Sequence, residues 1–415
     1  MVTQKQAIPT SGNLTQATTT QRHIILDALR GLALLGICLA NFPEFSLYTF
    51  LPEKMTAAMP TAEVDTAVRY LQYIFIDGKF YTIFSLLFGI GFSIILSNAE
   101  KNNRNGIRIF YRRMLVLFLI GLLHLVCLWA GDILALYAFA GFFLPLFIKV
   151  SDRKLITLAV ALLVIPVALD AGVEFLNWNP AAPAIAATGY FHGQFGITEE
   201  NFPVWLAESN TYLDVLKFNL AGSFIRLQEF IDGNRLFKVL GLFLLGLYIG
   251  RKGIYARLHE NKNLLKKIMK YGFVIGFPTT LIYAWSAMNG RPFGLTAHSA
   301  IYTVSVVPFA FFYISAICLW YLRNTGRKVF RIFAAPGRMA LTNYLMQSVF
   351  GIIIFYGIGF QLGARTGLIY VELIAAAVIC IQIVYSYLWL HFNRFGPLEW
   401  AWRMLTYGKR LKLVK

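Results

Sequence analysis

The sequence predicts an all-α polytopic membrane protein of about ten transmembrane helices, and three observations carry that prediction. Of the 415 residues, 58% are hydrophobic and only 14% are charged, where a soluble domain carries roughly 25%. The apolar residues fall in long runs, and about 20 residues suffice to cross roughly 30 Å of hydrocarbon. Short basic clusters separate those runs.

Residues 1–22 are polar, rich in Thr and Gln, and lack the apolar core of a signal peptide. They are expected to form a disordered cytosolic tail. Leu26 to Phe42 then reads as an uncleaved first helix. Spans are predicted near 24–42, 70–97, 109–130, 132–148, 155–173, 234–251, 270–287, 299–322, 339–360 and 368–391. Several are short and need a thinned bilayer or help from neighbours.

Charge sets the orientation. The segments 98–113, 149–154, 251–270, 323–338 and 391–415 carry five, three, seven, five and six Lys and Arg, most of the 38 in the chain. They alternate with 43–67 and 174–214, where Glu44, Glu53, Glu63, Asp65, Glu174, Glu199, Glu200 and Glu208 collect. Lys and Arg concentrate on the cytosolic side of a membrane. The basic segments are therefore placed inside, and ten crossings return the C-terminus to the cytosol, as in a bacterial inner membrane protein. The net charge of +18 is read as this topology signal, with no nucleic-acid partner expected.

The chain divides into the tail 1–22, an N-terminal helical half 23–173 with a polar core, an external loop and amphipathic segment 174–233, a C-terminal helical half 234–391, and an interfacial helix with tail 392–415. Residues 212–231 read as an amphipathic helix at the outer surface or half of a broken span. Residues 174–211 read as the longest external loop, a lid or a tether. Near the C-terminus, Gly396-Pro397 precedes Leu398, Glu399, Trp400, Trp402 and Arg403. Pro suits the first position of a helix, and two Trp beside Arg suit a membrane-surface anchor. The lipid bilayer is the one partner composition names directly; a homodimer stays open. Cys38, Cys127, Cys318 and Cys380 each lie in an apolar run without metal-ligand spacing, so no metal and no disulfide framework is expected.

Ionisable groups inside spans are costly, which makes each a functional candidate. Asp27, Arg30 and Asn41 fall at about 0°, 300° and 320° around the first helix, one polar stripe. Asp27 and Arg30 can pair at three residues' spacing. Arg30 to Asn41 is about 16 Å of rise, enough to run a ligand from the cytosolic surface towards the midplane. His124 lies deep in the third helix, and Asp132 follows at the outer turn. A His held by a carboxylate makes a general base near neutral pH; a buried His satisfied by a neighbouring helix is the plainer alternative. Arg113 precedes His124 by eleven residues, about 20° away on the same face. Arg108, Arg112 and Arg113 make a basic mouth suited to phosphates or simply to topology. Asp77 and Lys79 flank Gly78 and reach either a polar acceptor or each other. Glu229, Asp232, Asn234 and Arg235 gather at the outer start of the sixth span. Asn343 and Gln347 form an i, i+4 amide pair; such pairs join helices more often than they bind ligands. No phosphate-binding loop, dinucleotide motif or nucleophile elbow is present.

These polar residues lie in stretches that resemble the YeiB family of bacterial inner-membrane proteins, a group defined by a domain of unknown function. The resemblance rests on LDALRGLALLGICLAN at 26–41, KFYTIFSLLFGIG at 79–91, GLLHLVCLWAGDILALYAFAG at 121–141, GRMALTNYLMQ at 337–347 and FGPLEWAWRMLTYG at 395–408. More remotely, the family resembles the transmembrane acyltransferases: the acyltransferase-three family of surface-sugar modifiers and the lysosomal heparan N-acetyltransferases. That likeness implies a helical bundle that passes an acyl group from cytosolic acyl-CoA to an acceptor on the far side. In the acyltransferase-three family, helix 1 carries an Arg followed eleven positions later by a His. Arg30 matches the Arg, but Asn41 stands at the His position and 42–60 holds no His. The motif is broken, so His124 becomes the expected base. Arg108, Arg112 and Arg113 resemble the arginines that open that family's third helix.

The expected activity is acyl-CoA-dependent transfer, with acetyl the expected group, to an envelope glycan, lipid or small-molecule acceptor. His124, Asp132 and Asn41 are the catalytic candidates. Arg30, Arg108, Arg112 and Arg113 are the candidates for binding CoA phosphates, and Asp27, Asp77, Lys79, Asn343 and Gln347 those for substrate. A permease for a small polar solute is the alternative, marked by broken helices near Gly78 and Gly131; a non-catalytic membrane scaffold is the third reading.

Overall fold

The computed structural model describes residues 23–323 and 327–415; the predicted tail 1–22 lies outside the described residues. The helices are α1 (Ile24–Phe45), α2 (Glu53–Ala57), α3 (Ala62–Phe75), α4 (Lys79–Lys101), α5 (Gly106–Cys127), α6 (Leu134–Phe143), α7 (Asp152–Leu176), α8 (Ala182–Phe195), α9 (Trp205–Glu208), α10 (Tyr212–Asp232), α11 (Arg235–Lys252), α12 (Lys262–Met288), α13 (Gly294–Tyr321), α14 (Arg327–Arg338), α15 (Ala340–Phe355), α16 (Leu368–Phe392) and α17 (Pro397–Tyr407). Among the described residues no strand forms, and the one β-bridge joins Asn393 to Val414.

Among the described residues, six helical segments are long and apolar enough to cross a membrane: α1, α3 with α4, α5, α7, α13 and α16. The pair α14–α15, bent by 77°, makes a seventh if it is one span. The described helices thus fit a multi-pass membrane protein; six or seven of the ten expected spans are long and apolar enough by length and composition. The difference falls on three elements. The apolar helix at 134–147 is short. At the expected position of another span, α11 has 18 residues and carries Arg235, Lys238, Arg251 and Lys252. The third, α12, opens on Lys262, Lys266, Lys267 and Lys270.

Local chemistry explains the helix ends. The Asn105 side chain accepts the Arg108 N–H at 2.9 Å and starts α5. Pro397 opens α17, and Gly408, at φ 63°, closes it in the left-handed region. The expected span at 70–97 breaks at 76–78: Gly78 takes φ 76° between α3 and α4. Within the expected loop 174–211, two segments are helical, α8 and α9, and the expected amphipathic segment 212–231 is the helix α10.

Small residues set the closest crossings. A Cβ added at Gly31 would overlap the Phe333 carbonyl, and one at Gly337 the Asp27 carbonyl, so α1 and α14 touch backbone to backbone. Gly89 and Gly246 do the same for α4 and α11. In lipid, where apolar side chains gain little from burial, such close packing is a main source of helix association.

Candidate functional site

The two residues that sequence pairs across the outer turn are joined. His124 lies one turn before the end of α5, and the chain folds back through 128–133. This brings Asp132 Oδ1 to 2.8 Å from His124 Nδ1. The other carboxylate oxygen accepts the Ala135 N–H at 2.8 Å, fastening Asp132 to the first turn of α6. On the far edge of the ring, His124 Nε2 lies 2.7 Å from Ser348 Oγ of α15. All three residues are at most 1% exposed. An ionised carboxylate only accepts, so Nδ1 carries the ring proton and Nε2 accepts the Ser348 hydroxyl. The result is a hydrogen-bonded Ser–His–Asp chain in the order found in hydrolytic triads.

Two aromatic walls flank the imidazole. The Tyr344 ring lies 5.2 Å away and the Trp129 ring 6.3 Å away. Tyr344 lines a cavity of about 740 Å³, together with Leu117, Ile133, Leu134 and Tyr137; His124, Asp132 and Ser348 are not among its lining residues. The rest of its wall carries six cationic residues (Arg30, Arg104, Arg113, Arg338, Arg403 and Lys409) and one carboxylate, Glu399. Trp129 lines a second, much smaller cavity of about 40 Å³, with Gly131, Glu44, Arg226 and Glu229. Arg226 pairs with Glu44 at 3.3 Å and with Glu229 at 2.6 Å, and donates to the Ala130 carbonyl. Arg30 lines the large cavity and Glu44 the small one. They are 14 residues apart on α1, about 21 Å of rise, so the two cavities lie towards opposite ends of that helix.

The C-terminal helix, expected to be a surface anchor, forms a wall of the large cavity. Trp402 donates its indole N–H to the Arg113 carbonyl at 3.0 Å, and the Arg113 guanidinium stacks 3.7 Å above the Trp402 ring. Glu399 accepts the Leu341 N–H at 2.7 Å and the Thr342 N–H at 3.0 Å, and it binds the Thr342 hydroxyl at 2.6 Å. It therefore caps the start of α15, the helix that carries Tyr344 and Ser348. Burial pushes the Glu399 carboxyl above its ordinary range, and these hydrogen bonds pull the other way. Glu399→Ala is expected to strip α15 of these acceptors and cost about 1–3 kcal/mol. A lowered midpoint of thermal unfolding in detergent checks it, with Glu399→Gln retaining part of the loss.

The remaining candidates fall in three groups. Asp27 pairs with Arg30 at 3.0 Å beside the cavity, while Asn41, on the same stripe, is not among the lining residues. Of the basic mouth, Arg113 enters the cavity; Arg108 and Arg112 are exposed. Asn343 donates to Ser386 at 2.8 Å, and Gln347 to Gln382 at 3.1 Å, joining α15 to α16. Asp77 and Lys79 belong to a separate buried cluster at the α3–α4 break. There Lys79 donates to the Tyr73 carbonyl at 2.6 Å, and Tyr283 donates to Asp77. Arg235 and Lys238 lie over the Tyr81 and Tyr302 rings. Asn234 bonds Asp170 at 2.7 Å.

Sequence reading missed Ser348, Arg338, Arg403 and Glu399. Ser348 lies 224 residues from His124, and no local pattern announces such a pair. The GRMALTNYLMQ stretch that ends one residue before it was the nearest signal.

Fold and site together define a helical, multi-pass membrane protein with a large cavity lined by cationic side chains and a buried Ser–His–Asp chain, Tyr344 lying between them. The chain belongs to a family described as protein of unknown function (DUF418), whose model matches residues 249–409. It is similar to the uncharacterised protein YxaH of Bacillus subtilis (strain 168), at 30% identity over 402 residues, covering 94% of this chain and 95% of that one. It is also similar to an uncharacterised 39.9 kDa protein in the amylase 3′ region of Bacillus acidopullulyticus, at 29% identity over 94% of this chain and 95% of that one. YeiB of Escherichia coli (strain K12), likewise uncharacterised, is 27% identical over 93% of this chain and 96% of its own length.

Proposed function

We propose that this protein is a membrane-embedded acyltransferase that takes an acyl group, acetyl in the first instance, from cytosolic acyl-CoA. The acceptor is a hydroxyl or amine on an envelope glycan, a lipid or a small molecule. The observation that carries this reading is the large cavity, rich in cationic side chains along its wall and lined also by Tyr344, whose ring lies 5.2 Å from the His124 imidazole. The phosphates of CoA suit Arg30, Arg113, Arg338 and Arg403, since guanidinium groups bind phosphate oxygens by charge-assisted hydrogen bonds. The apolar inner wall suits the pantetheine arm. The positive-inside rule supports the same order: Arg113, Arg338 and Arg403 lie in basic segments that it puts in the cytosol.

In the transfer, the nucleophile attacks the thioester carbonyl and gives its proton to His124 Nε2. The carbon–sulfur bond breaks, and the CoA sulfur takes that proton and leaves as the thiol. Asp132 holds the imidazole in the tautomer that makes this possible. Arg113→Ala and Arg30→Ala are each expected to weaken CoA binding by roughly tenfold, one lost charged hydrogen bond. Calorimetry on the detergent-solubilised protein checks this. No heat of CoA binding to the wild-type protein at millimolar ligand would sink the donor assignment.

The break at Gly78 and the chain reversal at Gly131 favour a second reading, transport of a small polar solute, because interrupted helices mark many transporter sites. Lys79 offers a competing account of the first break, since its amine satisfies a carbonyl freed at the end of α3. Uptake into proteoliposomes that needs Asp77 but no acyl donor separates the two.

A further inference from the structure

We infer that Ser348 is a covalent way-station: the acyl group leaves CoA for Ser348 Oγ first, and passes from Ser348 to the final acceptor in a second step. The inference rests on the acyl-transfer reading and deepens it.

Three observations point to it. Ser348 Oγ lies 2.7 Å from His124 Nε2, and Asp132 Oδ1 lies 2.8 Å from Nδ1. A nucleophile bonded to a base, itself oriented by a carboxylate, is the arrangement that activates an otherwise unreactive hydroxyl. Second, Ser348 is four residues beyond Tyr344 on α15, one turn further along the same face. Tyr344 lines the cavity on which the donor reading rests, so the serine, not itself a lining residue, lies one helical turn beyond a residue that is. Third, the Trp129 ring lies 6.3 Å from the imidazole and lines a separate small cavity with Arg226. A carrier between donor and acceptor lets each half-reaction run with only one ligand bound.

Each half-reaction balances. Ser348 Oγ attacks the thioester carbonyl as His124 Nε2 takes the hydroxyl proton. The carbon–sulfur bond breaks, the sulfur leaves with that proton as CoA thiol, and an oxyester on Ser348 remains. The acceptor hydroxyl or amine then attacks the oxyester and gives its proton to His124. Ser348 Oγ takes the proton back as the ester bond breaks. No oxidant or further co-reactant is needed, and an oxyester lies below a thioester in free energy.

The test needs no acceptor. Purified full-length protein in detergent is incubated with acetyl-CoA and radiolabelled free CoA, and label entering acetyl-CoA is followed. A covalent carrier exchanges the two without acceptor, whereas direct transfer does not. Ser348→Ala is expected to lower the exchange on the order of 10³-fold. Acid-quenched wild-type protein should yield a peptide acetylated at Ser348, absent from His124→Ala. Ser348→Cys should restore labelling as a hydroxylamine-sensitive thioester, which a purely structural serine would not do. In parallel, a small fluorophosphonate reads the nucleophile without any CoA. Modification of Ser348 that depends on His124, with no acetyl exchange, supports the activated serine and overturns the CoA reading alone. Acetyl-CoA turnover undiminished in Ser348→Ala, with no acylated peptide, overturns the way-station and leaves the CoA reading standing. Labelling by neither reagent overturns the way-station as well.

Discussion

Asp132→Asn is expected to fold normally, bind CoA with wild-type affinity and lose acyl transfer by on the order of 10³–10⁴-fold. The reason is a matter of which atom faces which. One Asp132 oxygen accepts the Ala135 N–H and the other faces His124 Nδ1. An amide has one oxygen and one NH₂. The backbone N–H of α6 is a fixed donor, so the amide oxygen must turn to it, and the NH₂ then faces the imidazole. Against a donor, Nδ1 must be the unprotonated nitrogen, and the ring proton moves to Nε2. Nε2 can then no longer accept a proton from Ser348 or from any other nucleophile. The helix cap, which has no part in chemistry, therefore dictates the tautomer. Transfer from labelled acetyl-CoA measured beside CoA calorimetry checks the split between turnover and binding. Near-normal turnover with intact CoA affinity would mean that His124 does not act as the base.

The His124–Asp132 pair was legible because both partners belong to one helical turn and the chain reversal after it. Eight residues of sequence fix their separation. The third member was not legible, since Ser348 arrives on α15 from the other end of the chain and only packing brings it to Nε2. The phosphate-binding candidates divide the same way. Arg30 and Arg113 could be placed by helical spacing on faces that point inward. Arg338, Arg403 and Lys409 could not, because a Lys or Arg near a span end is what topology alone requires. The same masking hid α17. Two tryptophans beside an arginine are the composition of a surface anchor, yet here Trp402 is bonded to α5 and Glu399 to α15. Composition cannot distinguish an amphipathic helix that faces lipid from one whose polar face closes a cavity.

The span count is less sharply written in the sequence. Of the ten expected crossings, six or seven are long and apolar enough by length and composition. The hydrophobic runs at 132–148, 234–251 and 270–287 form a short helix, α6, and two helices with basic ends, α11 and α12. At Asp77 and Lys79, sequence offered a ligand site or a local pair. The structure instead gives each a partner on another group, the Tyr73 carbonyl for Lys79 and the Tyr283 hydroxyl for Asp77. A helix break leaves carbonyls without intrahelical donors, and a buried amine beside it is a direct way to satisfy one.

Gly31→Leu and Gly337→Leu are each expected to abolish the folded protein rather than tune it. At this crossing the backbones of α1 and α14 leave no room: a Cβ on Gly31 would overlap the Phe333 carbonyl, and one on Gly337 the Asp27 carbonyl. Neither obstacle is the flexible end of a side chain, so relief requires the helices to part. Parting forfeits the close contacts that hold membrane helices together, at a cost above about 4 kcal/mol, a large share of the 5–15 kcal/mol that stabilises a typical domain. The loss also reaches function through the neighbours in sequence. Arg30 precedes Gly31 and Arg338 follows Gly337, and both arginines line the large cavity. The glycine contact is therefore what sets two of the proposed phosphate ligands side by side, although they are 308 residues apart in the chain. Size-exclusion chromatography of detergent extracts checks the prediction, with Gly189→Ala as the control, since an added Cβ there meets nothing within 4 Å. The milder Gly31→Ala and Gly337→Ala, if enough folded material survives, should weaken CoA binding without touching a ligand. A monodisperse Gly337→Leu protein with unchanged CoA affinity would refute this account of how the two arginines are placed.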